Sequence, residues 1–285
     1  MLLITGATGN VGSELVKDLT AAGVEARVLV RDVSKAPAGM SAVSGDFLDA
    51  DSMKRALDGV DTAFLMAPFV PTMVDLQAAF IEAARVAGVK HIVKLSAMGT
   101  AVDASVTLLR WHGSAEKILK ESGIAWTCIQ PNGFMQNLLG QASLIANQGI
   151  IPAPAADARI SHIDLRDIAA SIAKVLTSTG HEGKTYVLTG PAAITYNEMA
   201  ADVSAAIGKP VNYVPITSEQ FTGALTSMGM PAWLAEGLDE LYAFYRTGAG
   251  SMVTADVETL TGRPATTFAQ FASDFAGVLG NSPSA

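Results

Sequence analysis

The first half of the chain alternates short apolar runs with stretches whose apolar residues recur every three or four positions, the pattern of β-strands interleaved with amphipathic helices. The runs predict strands at Leu2–Thr5, Ala26–Val30, Ser41–Ser44, 62–66, His91–Leu95 and 125–130. Helices are expected between them at 11–22, 51–57, 74–87 and 114–122, several closed by a glycine at Gly23, Gly59, Gly88 and Gly123. Crossovers between parallel strands are right-handed, so this order predicts an α/β fold built on a Rossmann-type doubly wound parallel sheet. Ligands then bind beyond the carboxyl ends of the strands.

After residue 130 the rhythm changes. Pro131, Pro152, Pro154 and an alanine-rich stretch at 153–158 predict a departure from the main sheet, followed by a strand at 159–162 and a helix opening at Asp164. Asp164 and Asp167 have the spacing of an N-cap and a third helical position, so both read as helix-start residues, and His162 before them reads as structural. A strand at 184–189, a helix over Tyr196–Ile207 and a helical region at 218–244 predict a smaller carboxy-terminal lobe over the cleft. The expected division is a cofactor-binding domain at 1–133 and a mainly substrate-binding lobe at 134–285, with 159–178 packing back on the first.

Composition narrows the function. A chain of 285 residues that is 49% hydrophobic can bury a large core. Its net charge of −8, without clustered lysine and arginine, argues against a nucleic-acid partner. No leader pattern and no run of ~18 apolar residues is visible, so the expected setting is the cytoplasm, away from membranes. The single cysteine, Cys128, has no internal disulfide partner and sits in Ala-Trp-Thr-Cys-Ile-Gln, a buried-strand context. Four scattered histidines have no ligand spacing, so no metal is expected. Monomer and homodimer both stay open.

The main candidate chemistry sits at the amino terminus. The first strand breaks into Gly6-x-x-Gly9-x-x-Gly12 and then becomes a helix, the arrangement in which a tight turn lets a pyrophosphate approach backbone N–H groups at a helix start. Thr8, Asn10 and Val11 complete this turn. The second strand ends in Arg31, and a guanidinium there suits the 2′-phosphate of NADP, with Lys35 near enough in sequence to add charge. Asp32 leaves a second register open, in which a carboxylate meets the ribose of NAD. Asp46 and Phe47 after the third strand are expected to border the adenine. Met66 and Ala67 after the fourth should pass near the ribose and pyrophosphate.

Thr5-Gly6-Ala7-Thr8-Gly9-Asn10-Val11-Gly12, Val30-Arg31-Asp32, Ala87-Gly88-Val89-Lys90-His91-Ile92-Val93 and Pro131-Asn132-Gly133-Phe134-Met135-Gln136-Asn137 together resemble the NmrA-like branch of the atypical short-chain dehydrogenases. The likeness extends nearly end to end, through His181-Glu182-Gly183-Lys184-Thr185-Tyr186 and Thr261-Gly262-Arg263-Pro264-Ala265-Thr266-Thr267-Phe268. These segments look like members that act as NAD(P)H:quinone oxidoreductases or reduce azo and triphenylmethane dyes. The resemblance implies a Rossmann domain, a small carboxy-terminal lobe and a preference for NADP. It also includes cofactor-binding regulators with little or no catalysis, so it guides fold and cofactor more firmly than activity.

One departure bears on mechanism. Ordinary short-chain dehydrogenases carry Tyr-x-x-x-Lys on the helix after the fifth strand, whereas alignment through 115–119 puts Leu108 and His112 at those two positions. Leucine transfers no proton, which disfavours carbonyl reduction by the standard route. Hydride transfer to a planar electrophile such as a quinone or dye needs no such acid, only positioning and exclusion of water. His112 is the candidate catalytic residue, as a group titrating near neutral pH that donates a proton or steadies an oxyanion. Ser96, Phe134, Asn132 and Asn137 are expected near the nicotinamide. Phe69, Met98, Phe134, Met135, Met228, Met230 and Trp233 are expected to form an apolar wall. Two alternatives remain: a redox-sensing regulator that binds NADP(H) without turnover, and a reductase of an imine or activated alkene.

Overall fold

The computed structural model describes residues 1–281. In its first half β1 (Leu2–Thr5), α1 (Asn10–Ala21), β2 (Ala26–Val30), β3 (Ser41–Ser44), α2 (Ala50–Leu57), β4 (Thr62–Leu65), α3 (Met73–Ala87), β5 (His91–Leu95), α4 (Thr107–Glu121) and β6 (Ala125–Pro131) follow in order. The remainder forms α5 (Ala142–Gln148), β7 (Ile150–Ala153), α6 (Leu165–Thr177), β8 (Lys184–Leu188), α7 (Tyr196–Ile207), β9 (Asn212–Pro215), α8 (Ser218–Ser227), α9 (Ala232–Arg246), α10 (Asp256–Thr261), α11 (Phe268–Asp274) and α12 (Ala276–Gly280).

Seven parallel strands pair in the order β3-β2-β1-β4-β5-β6-β8, so the direction of winding reverses between β1 and β4. A crevice opens at that reversal, above the carboxyl ends of the strands. The central strands read as unbroken apolar runs because both faces are covered. On β1, Leu2 and Ile4 join Leu15, Leu19, Ile168 and Ile172 in one buried cluster, while Leu3 enters another with Met53, Leu57, Phe80 and Ile92. Thr5 clamps the tops of β1 and β4: its hydroxyl donates toward the Phe64 and Met66 carbonyls and accepts from the Met66 amide at 2.8 Å.

The first-half strands fall where the sequence places them, and several later expectations are corrected. The strand at 184–189 belongs to the main sheet, as β8 beside β6, because α6 returns the chain across the sheet and packs on α1. The segment 159–162 is no strand. Its backbone pairs one residue at a time, Ile160 with Ile194 and Ser161 with Gly250, so no ladder forms. The helical region at 218–244 is two helices, α8 and α9, broken at Gly229 (φ +88°) and Pro231. α4 begins at Thr107, well before residue 114, and its first amide donates to Glu240 Oε2 of α9 at 2.6 Å. That cap comes from a distant helix, out of reach of any local pattern.

α6 opens as expected, with the Asp164 carboxylate accepting from the Arg166 amide. A separate cluster built from Met135, Ile151, Tyr196, Val203 and Phe271 supports the lobe, which includes the parallel pair β7–β9. Cys128 is buried on β6, where desolvation pushes its thiol up to about 12. Among the described residues no helix is long and apolar enough to cross a membrane.

Candidate active site

The glycine turn is built by crowding on one side and openness on the other. Gly6 adopts φ +65°, and a Cβ there would lie 2.4 Å from Met66 Cε. A Cβ on Gly12 would lie 2.1 Å from the Gly6 carbonyl oxygen, so α1 packs directly on the turn. Gly9 is less crowded, its nearest neighbours being 3.3 and 3.4 Å from such a Cβ, and it lines the crevice. Among the described residues no side chain caps the start of α1, which leaves its first amides open to receive an anion.

Around this turn a 530 Å³ cleft is lined by Gly6, Thr8, Gly9, Arg31, Asp46, Phe47, Met66 and Ala67, all predicted from sequence. Arg31 is exposed and its guanidinium makes no hydrogen bond or ion pair among the described residues, whereas the Asp32 carboxylate accepts from the Ser34 amide at 3.0 Å and from its hydroxyl at 2.7 Å. Asp32 is thus spent on its own turn, and Arg31 is the charge available at the end of β2. Lys35 lies outside the lining of this cleft, and Gly12 acts through packing beneath it.

A second cleft of 370 Å³ shares Gly9, Met66 and Ala67 with the first, so the two form one trough. It is lined by Asn10, Val11, Phe69, Ser96, Met98, Leu108, His112, Phe134 and Asn137, again as expected. The lobe contributes Leu238, Leu241 and Tyr245 from α9 rather than the methionines anticipated. Met135 lies in the lobe core, Met228 is exposed to solvent, and neither it nor Met230 lines the cleft. Trp233 sits beside the cleft in a ring cluster with Trp111 and Phe69, at centroid distances of 5.6 and 6.4 Å.

The polar groups of this cleft divide into committed and uncommitted ones. Ser96 donates to Glu116 Oε1 at 2.6 Å, and that carboxylate also accepts from Gln130 and Lys120. Asn132, expected to face a ligand, is spent internally: its amide donates to Ser161 Oγ and the Gly250 carbonyl, and its oxygen accepts from the Gly133 amide. The Asn137 side chain has no such partner among the described residues. Gln77 on α3 lines the cleft with Oε1 buried and unpaired.

His112 lies one turn along α4 from Leu108, on the same face. Its titration differs from the sequence expectation. Desolvation first, then the charge of Lys94, hold its pKa well below the ordinary histidine value, so the ring is neutral at pH 7. Phe69 stacks against it at 6.1 Å. Lys94, missed in the sequence, is fully buried on β5 with Nζ 3.2 Å from His112 Nδ1. The signal was present: a lysine inside His-Ile-Val-Lys-Leu, a run predicted to be buried on both faces. Gln77, Leu238, Leu241 and Tyr245 were missed because only helix packing turns them toward this cleft.

Residues 1–270 match the model of the NmrA-like family. The chain is 44% identical over 284 residues to the NAD(P)H azoreductase of Xenophilus azovorans, covering 98% of this chain and 99% of that one. Its fold superposes with a TM-score of 0.89 on the NADPH-dependent quinone oxidoreductase of Escherichia coli in complex with NADPH, at 31% identity, covering 96% of this chain and 99% of that one. The Citrobacter sp. triphenylmethane reductase complexed with NADP(H) superposes with a TM-score of 0.85 at 26% identity, covering 96% and 99%. With the glycine turn, the crevice at the β1–β4 reversal and the small lobe all in place, this chain belongs to the NmrA-like family.

Proposed function

We propose that this protein is an NADPH-dependent oxidoreductase that passes hydride to a planar electrophilic acceptor, a quinone or a dye, without a Tyr-x-x-x-Lys pair. The observation that carries the reading is the continuity of the trough. Its polar end has a glycine turn and an unpaired arginine, and its other end is an apolar slot with a neutral imidazole. The relatives' names support the same class: an NAD(P)H azoreductase, a quinone oxidoreductase and a triphenylmethane reductase.

The reduced nicotinamide supplies a hydride when the cofactor is bound. Gly6, Gly9 and the first amides of α1 would hold the pyrophosphate, and Arg31 would hold the 2′-phosphate. Phe134 and Asn137 line the second cleft, where they would border the nicotinamide. Phe69, Met98, Leu108, Leu238 and Leu241 press a flat acceptor into the slot and exclude water, which supplies most of what such a reaction asks of the protein. A neutral His112 is a poor acid and a good hydrogen-bond donor, so its role is to steady the acceptor oxygen that gains negative charge, with water delivering the proton afterwards. A cytoplasmic setting suits this cofactor.

The test mixes the purified protein with NADPH and a panel of quinones and dyes while following nicotinamide absorbance. Turnover of at least one acceptor is expected, and His112→Ala should slow it while leaving NADPH affinity unchanged. Cofactor binding without turnover on any acceptor would overturn the reading.

A further inference from the structure

We propose that Lys94 is a positioning residue that fixes the tautomer of His112, holding its N–H on Nε2 toward the acceptor slot. The inference builds on the proposed role of His112, and Lys94 itself is not part of that reading.

The geometry carries it. Lys94 lies mid-sheet on β5, fully buried, with Nζ 3.2 Å from the Leu95 carbonyl and 3.2 Å from His112 Nδ1. No carboxylate lies within ion-pair distance of it among the described residues, although Glu116 stands nearby and spends its oxygens on Ser96, Gln130 and Lys120. An ammonium has three donors and no acceptor, so a protonated Lys94 obliges His112 Nδ1 to accept. A neutral imidazole that accepts at Nδ1 carries its proton at Nε2. That second nitrogen has no protein partner among the described residues, and the ring lines the cleft. The ring's only free polar edge is therefore a donor edge, as stabilising a developing oxyanion requires.

A purely structural explanation fits poorly. A lysine in the middle of a parallel sheet costs stability unless it is matched by a carboxylate, and an apolar residue of similar length would fill the space at lower cost. Desolvation brings the ammonium down to about 8, opposed by Glu116 of α4 and Cys128 of β6 and reinforced by Lys120 of α4. At pH 7 Lys94 remains charged and the lock is closed. Above that value the neutral amine gains a lone pair and accepts as readily as it donates, so the lock loosens.

The experiment reads the histidine tautomer directly, by two-bond proton–nitrogen correlation of ring-labelled His112 in the intact chain. In wild type the Nε2-protonated pattern is expected at pH 7, giving way to a tautomer mixture as pH rises through about 8. Lys94→Met should give the mixture already at pH 7. It should also lower kcat with a 1,4-naphthoquinone about twofold where the two tautomers are evenly mixed, with NADPH affinity held, because the mis-set fraction lacks the donor to the reacting oxygen. In a His112→Phe background Lys94→Met should have no further effect on kcat. An unchanged tautomer in Lys94→Met, or an equal loss of kcat in both backgrounds, would overturn the proposal. Should Lys94→Met fail to fold, the wild-type pH series still decides, since a tautomer constant from pH 7 to 9 excludes the lock. Absence of turnover in wild type refutes the proposed reaction alone and leaves the tautomer result standing.

Discussion

Two buried charged regions of this molecule are built on opposite principles. At the start of α6, Asp164 and Asp167 are fully buried and fully matched. Asp164 accepts from Arg166 at 2.7 and 3.0 Å and from Gln136 at 2.8 Å, and Asp167 accepts from Arg263 and from the Thr266 amide, both at 2.7 Å. Next to the second cleft, beside His112, Lys94 is equally buried, and among the described residues its ammonium meets only a carbonyl and an imidazole. The matched carboxylates tie α6 to the carboxy-terminal segment through Arg263, Thr266 and Asp274, so their energy goes into holding the lobe on the sheet. The unmatched ammonium adds no such tie, and its energy goes into setting the neighbouring ring. Burial alone does not separate structural from functional charge; the identity of the partners does.

The sharpest way to break this contrast is at Asp167. Asp167→Ala should cost about 3 kcal/mol of unfolding free energy, because it strips a buried acceptor from Arg263 and from a backbone amide. Urea unfolding checks the loss, and kcat per folded molecule should stay unchanged; a stable variant with lost turnover would reverse the assignment of the two regions.

Lys94→Met should do the opposite, leaving stability at pH 7 unchanged or higher. The sign follows from linkage. The folded-state pKa of about 8 lies below the ordinary value of 10.5, so the unfolded chain binds more protons between these limits. Wild-type stability should rise by up to roughly 3 kcal/mol between pH 8 and 10.5 relative to Lys94→Met, and the penalty should be complete below pH 8. Parallel stability curves for the two proteins would mean that Lys94 is matched in a way the contacts do not reveal.

Arg31 extends the comparison to an exposed charge without a partner. Arg31→Ala should weaken NADPH binding on the order of tenfold, from loss of a charge-assisted phosphate contact, and leave NADH binding and protein stability nearly unaltered. Titration with both cofactors reads this directly, and equal losses would remove Arg31 from the 2′-phosphate.

Much of this was legible along the chain. The strands from Leu2 to Pro131, the glycine turn and Arg31 are local in sequence, because a strand, a turn and a helix start are each specified by contiguous residues. The asparagines and methionines were harder. Asn132 and Asn137 are equivalent as sequence, and only the fold spends one on Ser161 and Gly250 and leaves the other in the cleft. Met135 and Met228 are similarly alike on paper, yet one fills the lobe core and the other faces solvent. The apolar stripe Leu238, Leu241 and Tyr245 follows helical spacing, but which neighbour it faces depends on how α9 crosses α4.

Local sequence specifies the first six strands of the sheet, the place of the crevice and the glycine turn, since hydrophobic periodicity and glycine geometry act over a few adjacent residues, whereas β8 joined the sheet only through the return of α6. Tertiary structure alone decided the protonation state of His112 and the solitude of Lys94. A side chain's pKa and hydrogen-bond duties depend on desolvation and on partners drawn from β5, β6 and α4, which only folding brings together.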